Sequence, residues 1–187
     1  TLKDIPELGA NMATNGFPAA LENLANLTSL NLSNSGISDL APLKSALEKL
    51  SALQELIIVG CATTCAKIAN ISPLQNLKSL TSLVLDQNAI VDVTPLASLI
   101  NLQLLTLNKN LIEDVSALIT LQKLVRLDLD SNKIVNVAPL ASLNEVTLTD
   151  LSLAGNPTMD CNILQNLINM LKSPPVDLDN NELSPDT

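Results

Sequence analysis

The sequence predicts an α/β solenoid with a cap at each end, and three observations predict it. First, one template is written three times at a spacing of 22 residues. Leu80, Leu83, Leu85, Asn88, Ile90, Val93 and Leu96 recur as Leu102, Leu105, Leu107, Asn110, Ile112, Val115 and Leu118, then as Leu124, Leu127, Leu129, Asn132, Ile134, Val137 and Leu140. Second, the second and third leucines of each head stand two residues apart, the period at which a strand's side chains return to one face, and return segments such as those carrying Thr94-Pro95 and Ala138-Pro139 follow the heads. Third, the 187 residues are 47% apolar yet hold one Phe and no Trp or Tyr. A globular core draws much of its buried area from large rings, whereas stacked coils need many similar mid-sized branched side chains.

Residues 1–26 lack the template. Ala20, Leu21, Leu24 and Leu27 fall at helical spacing behind Pro18, which suits a first helical turn, so this stretch is expected to form an N-terminal helical cap. The first coil has Leu27, Leu30, Leu32, Ile37, Leu40, Pro42 and Leu43, with Ser35 where Asn is expected. Its return segment is lengthened within KSALEKLSA by strong helix formers, which predicts an added helical turn. The second coil has Leu53, Leu56, Ile58, Ile68, Ile71, Pro73 and Leu74, and an insertion directly after its strand, in VGCATTCAK. Coils three to five follow the template. The sixth has Leu148, Leu151, Leu153 and Asn156 and breaks at Pro157, so the six repeats span 27–157. Ile163, Leu164, Leu167, Ile168 and Leu171 then share one helical face that stops at Ser173-Pro174-Pro175, predicting a C-terminal cap helix over 158–175. Residues 176–187 carry Asp177, Asp179, Glu182 and Asp186 and no base; they are expected to be an extended, mobile acidic tail.

Neighbouring strands would pair about 4.8 Å apart in a parallel sheet. Asn88, Asn110, Asn132 and Asn156 follow the strands where the chain bends inward, and a stacked ladder of their amides would satisfy buried backbone groups there. The prolines open short helical turns on the return side, and Asp39, Asp92 and Asp114 are placed to bond nearby backbone amides.

The head L-x-x-L-x-L-x-x-N is the signature of leucine-rich repeats. Ile90 to Leu99, I-x-D-V-x-P-L-A-S-L, resembles the 22-residue repeats of bacterial internalins and is similar to those of regulatory subunits of type-one protein phosphatase. The resemblance implies a leucine-rich-repeat solenoid: a right-handed superhelix with a curved parallel sheet on the concave face and short 3-10 or α turns on the convex face. It also implies a secreted or surface-attached bacterial protein that binds a protein through the concave sheet. An intracellular scaffold or regulatory subunit of a phosphatase or other enzyme stays open, as does a structural segment of a larger surface protein. The cytoplasm is the alternative compartment.

From the strand register, the face offered to a partner comprises Glu55, Ile57, Val84, Asp86, Leu104, Thr106, Arg126, Asp128, Asp130 and Asp150. An apolar strip of Ile57, Val84 and Leu104 rimmed by acids suits a protein interface. A net charge of -9 favours a partner with a basic surface and disfavours nucleic acid, which needs clustered Lys and Arg. A monomer is expected. No apolar run is long enough to span a membrane. No signal peptide is visible, and a chain opening at Thr1 is expected to be a mature or trimmed form.

Cys61 and Cys65 lie in the inserted loop, where a disulfide would close it in a secreted protein and leave Cys161 as a free thiol. The alternative, Cys61 as a buried thiol in place of a ladder Asn, as the repeat class allows, stays open. Without histidine these cysteines are a poor zinc set, and no Ser-His-Asp or Cys-His pairing exists. Neither a P-loop nor G-x-G-x-x-G occurs. Asp128, Asp130 and Asp150 could interest a Ca2+ ion by their spacing, but they fall on an open face where nothing excludes water. No catalytic residue, metal or cofactor is assigned, and enzyme activity is not expected.

Overall fold

The computed structural model describes residues 17–33, 35–60, 67–144, 146–157 and 176–177. Seven three- or two-residue strands form one parallel sheet in chain order: β1 (Ser29–Asn31), β2 (Glu55–Ile57), β3 (Ser82–Val84), β4 (Leu104–Thr106), β5 (Arg126–Asp128), β6 (Asp150–Ser152) and β7 (Val176–Asp177). The middle residues lie side by side, Leu30 beside Leu56, then Leu83, Leu105, Leu127, Leu151 and Val176. The strict order leaves the sheet open, with β1 and β7 at its edges. This is the leucine-rich-repeat solenoid that the template predicts.

The core is one continuous column. Leu56, Leu83, Leu105 and Leu127 from the strands meet Ile68, Ile90, Ile112 and Ile134 beyond the bends and Leu74, Leu96, Leu118 and Leu140 from the return turns, all fully buried. A lone strand of three residues could not hold itself together; each coil is stable because its leucines are packed by the coils above and below.

The return segments form 3-10 turns at Ala41–Leu43, Ser72–Leu74, Thr94–Ser98, Ser116–Thr120 and Ala138–Ser142, most with Pro at an early position. Two residues before each start, a side-chain oxygen accepts a backbone N–H. Asp39 takes that of Ala41, Asn70 that of Ser72, Asp92 that of Thr94, Asp114 that of Ser116 and Asn136 that of Ala138, at 2.8 to 3.0 Å. These side chains, three acids and two amides, therefore fix the turn. The Ser116 amide holds the Asp114 carboxyl below its ordinary range.

The lengthened first return segment carries helix α2 (Lys44–Lys49), as its composition predicts. Helix α1 (Phe17–Glu22) packs on it, with Leu21 in the core and Glu22 taking both the Ser45 hydroxyl and the Lys49 ammonium.

One finding departs from the expected layout. Val176–Asp177 falls where an acidic tail is expected, yet it pairs with β6 as the seventh strand. The backbone of β6 would otherwise be a bare sheet edge, and the alternating Val176-Asp177-Leu178-Asp179 has the composition of a strand head.

Candidate protein-binding face

Because side chains alternate across a strand, the residues flanking each buried middle leucine project from the sheet away from the core. One column runs Ser29, Glu55, Ser82, Leu104, Arg126, Asp150, and the next runs Asn31, Ile57, Val84, Thr106, Asp128, Ser152. The ten residues named from the sequence all lie in these two columns, apart from Asp86 and Asp130, which follow their strands by two residues. The structure differs from the sequence reading in how freely they are offered.

Ile57, Val84 and Leu104 are partly exposed and lie on three successive strands. Ile57 pairs with Val84, and Leu104 sits one coil on and two residues back from Val84's own partner, Thr106. Val59, also partly exposed, extends the strip.

Thr106 and Asp128, expected to face outward, are only 8% and 5% exposed. The cause is lateral crowding. Arg126 lies over Asp128 and donates Nε–H and Nη2–H to its Oδ2 at 3.0 and 2.8 Å. Its Nη1 also reaches Asp150 at 3.0 Å, so one guanidinium joins two coils. The hydrogen bond to Asp128 is the first cause of a further rise in the Arg126 pKa, and the charges of Asp128, Asp150 and Asp130 add to it. Thr106 is the side chain between Val84 and Asp128. Its hydroxyl is close enough to the Asp86 carboxylate to favour the charged form, yet neither it nor Asp128 Oδ1 has a hydrogen bond of good geometry.

Immediately after the strands, two further columns tie coil to coil. In one, Asp86 Oδ1 accepts the N–H of Asn108 and Asn108 Oδ1 that of Asp130, each at 2.8 Å. Asp130 Oδ1 accepts that of Ala154 at 2.9 Å and also the Ser152 hydroxyl. In the first coil the Ser33 hydroxyl does the same for Val59 at 3.1 Å. The following residue turns the chain in the left-handed region at Gln87, Lys109, Ser131 and Gly155, with φ between 55° and 67°. Gly60, at the corresponding place in coil two, has no room for a side chain, since a Cβ there would stand 2.1 Å from the Gln87 carbonyl oxygen.

The other column is Asn88, Asn110, Asn132 and Asn156, all buried. Asn110 donates to the carbonyls of Leu85 (3.0 Å) and Leu107 (2.9 Å) and accepts from Ile90 N–H (3.1 Å). Asn132 repeats this with Leu107, Leu129 and Ile112, and Asn156 with Leu129, Leu153 and Ile134. In the first coil Ser35 makes a single such bond, to Leu32.

The other acids are placed differently from one another. Glu55 accepts the Ser29 hydroxyl across β1 and β2. Burial raises the Asp86 carboxyl above its ordinary pKa; the Asn108 amide opposes the rise, and the charges of Asp128 and Asp130 add to it. Among the described residues no group of His, Cys, Asp or Glu is arranged to hold a metal ion. Cys61, Cys65 and Cys161 lie outside the described residues, and so do residues 1–16 of the expected N-terminal cap and all of the expected C-terminal cap helix, 158–175.

The roles of Ser33 and Asn108 escape a reading of single repeats. Their signal is that one repeat position holds a small acceptor side chain, Ser33, Asp86, Asn108 or Asp130, the last three each one residue before a left-handed turn.

No family model matches the sequence, and no curated protein matches it. Solved structures do. An internalin of Listeria monocytogenes, inlF, is 29% identical, with 89% of this chain and 52% of that one covered at a TM-score of 0.71. Internalin C2 of the same species is 32% identical, with 87% and 74% covered and a TM-score of 0.64. A leucine-rich-repeat protein of Leptospira interrogans shares the fold at 24% identity, with 97% and 43% covered and a TM-score of 0.75. The chain thus spans about half the length of the inlF chain.

Proposed function

We propose, from the premise that the chain belongs to the internalin-like leucine-rich-repeat proteins, that it is a non-enzymatic module that docks a protein partner on the exposed face of its sheet, at coils two to four. The observation that carries this is the partly exposed strip of Ile57, Val59, Val84 and Leu104, set in a face whose other side chains are mostly polar. Branched side chains favour strands on their own account, but the facing positions of the outer coils are Ser29, Asn31, Asp150 and Ser152. An apolar patch confined to the middle of a polar face has the layout of an interface, with a dry centre and a wet rim. The acids around it favour a partner with a basic surface.

The internalin likeness supports a bacterial protein that is secreted or held at the cell surface. Among the described residues no helix is long and apolar enough to cross a membrane.

The test is competition. Fluorescently labelled protein is bound to intact eukaryotic cells and displaced with unlabelled wild type or with the double variant Val84→Asp, Leu104→Asp. Wild type should displace the label and the double variant should not, at unchanged circular dichroism. Equal displacement by both would remove the sheet face from the reading.

A further inference from the structure

We infer that Asp86 anchors a lysine side chain of the partner, with the lysine's aliphatic stem lying along Val84; this rests on the reading that the sheet face docks a protein. The argument starts from the repeat position that Asp86 occupies. Its structural task is to accept the N–H of the next coil, and neutral residues perform that task elsewhere in the same column: Asn108 for Asp130 at 2.8 Å, and Ser33 for Val59 at 3.1 Å. A charge at Asp86 is therefore not required by the fold.

It is also disfavoured there. The carboxylate is partly buried and carries the like charges of Asp128 and Asp130 nearby, and these raise its pKa. Among the described residues no ion pair relieves it; the ion pairs of the face are those of Arg126 with Asp128 and Asp150. Asp130, the other acid of the column, has the Ser152 hydroxyl as a second donor. The Thr106 hydroxyl, buried and without a hydrogen bond of good geometry, is the side-chain donor near the Asp86 carboxylate and relieves its charge only in part. Asp86 is thus an electrostatically unbalanced carboxylate at the edge of an apolar strip.

The chemistry that fits is a cation on an apolar stem. Val84 and Asp86 are two residues apart, about 6.6 Å along an extended chain, a distance suited to a four-carbon stem ending in an ammonium. Lysine fits better than arginine. Asp86 Oδ1 is already engaged by the Asn108 amide, so a guanidinium could not take both oxygens in a parallel fork and loses its advantage over a compact ammonium.

The experiment titrates 15N-labelled protein with n-butylammonium chloride, n-butylguanidinium chloride or n-butanol at constant ionic strength and follows backbone amide shifts. The proteins are wild type, Asp86→Asn, and Glu113→Gln as a charge-matched control on the return side. Asn should keep the bond to the Asn108 amide, so Asp86→Asn should fold. We expect saturable shifts at Val84, Asp86 and Asn108 with butylammonium. The half-saturating concentration should rise at least fivefold in Asp86→Asn and stay unchanged in Glu113→Gln, and both other probes should bind wild type more weakly. Equal binding of butylammonium by wild type and Asp86→Asn, or tighter binding of butylguanidinium, overturns the lysine anchor. If n-butanol binds as well as butylammonium, the anchor fails while the apolar face survives as a docking surface. If no probe moves any amide of the strip, both readings fall.

Discussion

Replacing Asn110 by Ala tests what joins one coil to the next. The side chain makes three buried bonds, donating to the Leu85 and Leu107 carbonyls and accepting from Ile90 N–H. They are not equivalent. Leu85 O also accepts from Asn88 at 3.1 Å and Leu107 O from Asn132 at 3.0 Å, so each carbonyl keeps one donor when Asn110 is removed. Ile90 N–H loses the side-chain acceptor it has. An orphaned buried donor costs about 1–3 kcal/mol and each lost second bond about 0.5–1.5 kcal/mol, which places Asn110→Ala near 4 kcal/mol of destabilisation. Serine, which makes one such bond at position 35, should recover about 1 kcal/mol of it. The shared carbonyl gives a sharper test: in Asn110→Ala with Asn132→Ala, Leu107 O loses both donors, so the double variant should lose about 1 kcal/mol more than the two singles together. With no Trp or Tyr, the assay is urea unfolding followed by far-ultraviolet circular dichroism. A loss under 1 kcal/mol for Asn110→Ala, or strict additivity in the double variant, would refute the account of the ladder.

Three further outcomes are expected. Thr106→Val should stabilise the protein by about 1 kcal/mol, because it replaces a buried, unpaired hydroxyl with a methyl group of similar shape; an unchanged or lower urea midpoint would contradict this. Gly60→Ala should cost about 3 kcal/mol through the clash of its Cβ with the Gln87 carbonyl, read as a lower midpoint in thermal melts followed by circular dichroism. The folded-state pKa of Asp86 is raised, so in the window between its unfolded and folded values the folded chain binds more protons, and this residue's contribution to stability falls as pH rises through that window. Asp86→Asn should therefore show its largest advantage over wild type at neutral pH and a shrinking one on acidification, as measured by urea midpoints from pH 7 to pH 4.

The solenoid was legible because its leucines obey one rule at every coil: a head residue that is not apolar would break the core of two neighbours at once. Leu83, Leu105 and Leu127 could be placed side by side from spacing alone, and they are. The added turn in KSALEKLSA was legible for a different reason, local helix propensity, and it is α2. The seventh strand was hidden by composition. Val176-Asp177-Leu178-Asp179-Asn180-Asn181 repeats the order of Leu127-Asp128-Leu129-Asp130-Ser131-Asn132, but it follows the break at Pro157 by a segment of helical spacing, and its acids suggest a solvated tail. Exposure on the sheet face was the least legible. Alternation says which side Asp128 projects from; it does not say that Arg126, two residues earlier, folds back over it.

That fold-back divides the face. At coils five and six, Arg126 binds Asp128 and Asp150, and Ser152 binds Asp130, so a partner placed there would have to break side-chain bonds before making its own. At coils two and three the column of Asp128 and Ser152 holds Ile57 and Val84, which have no polar side-chain atom to link, and the polar residues at its edge, Asp86 and Asn108, direct one oxygen each at the backbone of the next coil. Removing water from that strip therefore costs little beyond the desolvation of one carboxylate. The same ladders that hold the coils together thus leave an apolar strip in the middle of the face, and Asp86, at its border, is where a partner's positive charge would return most.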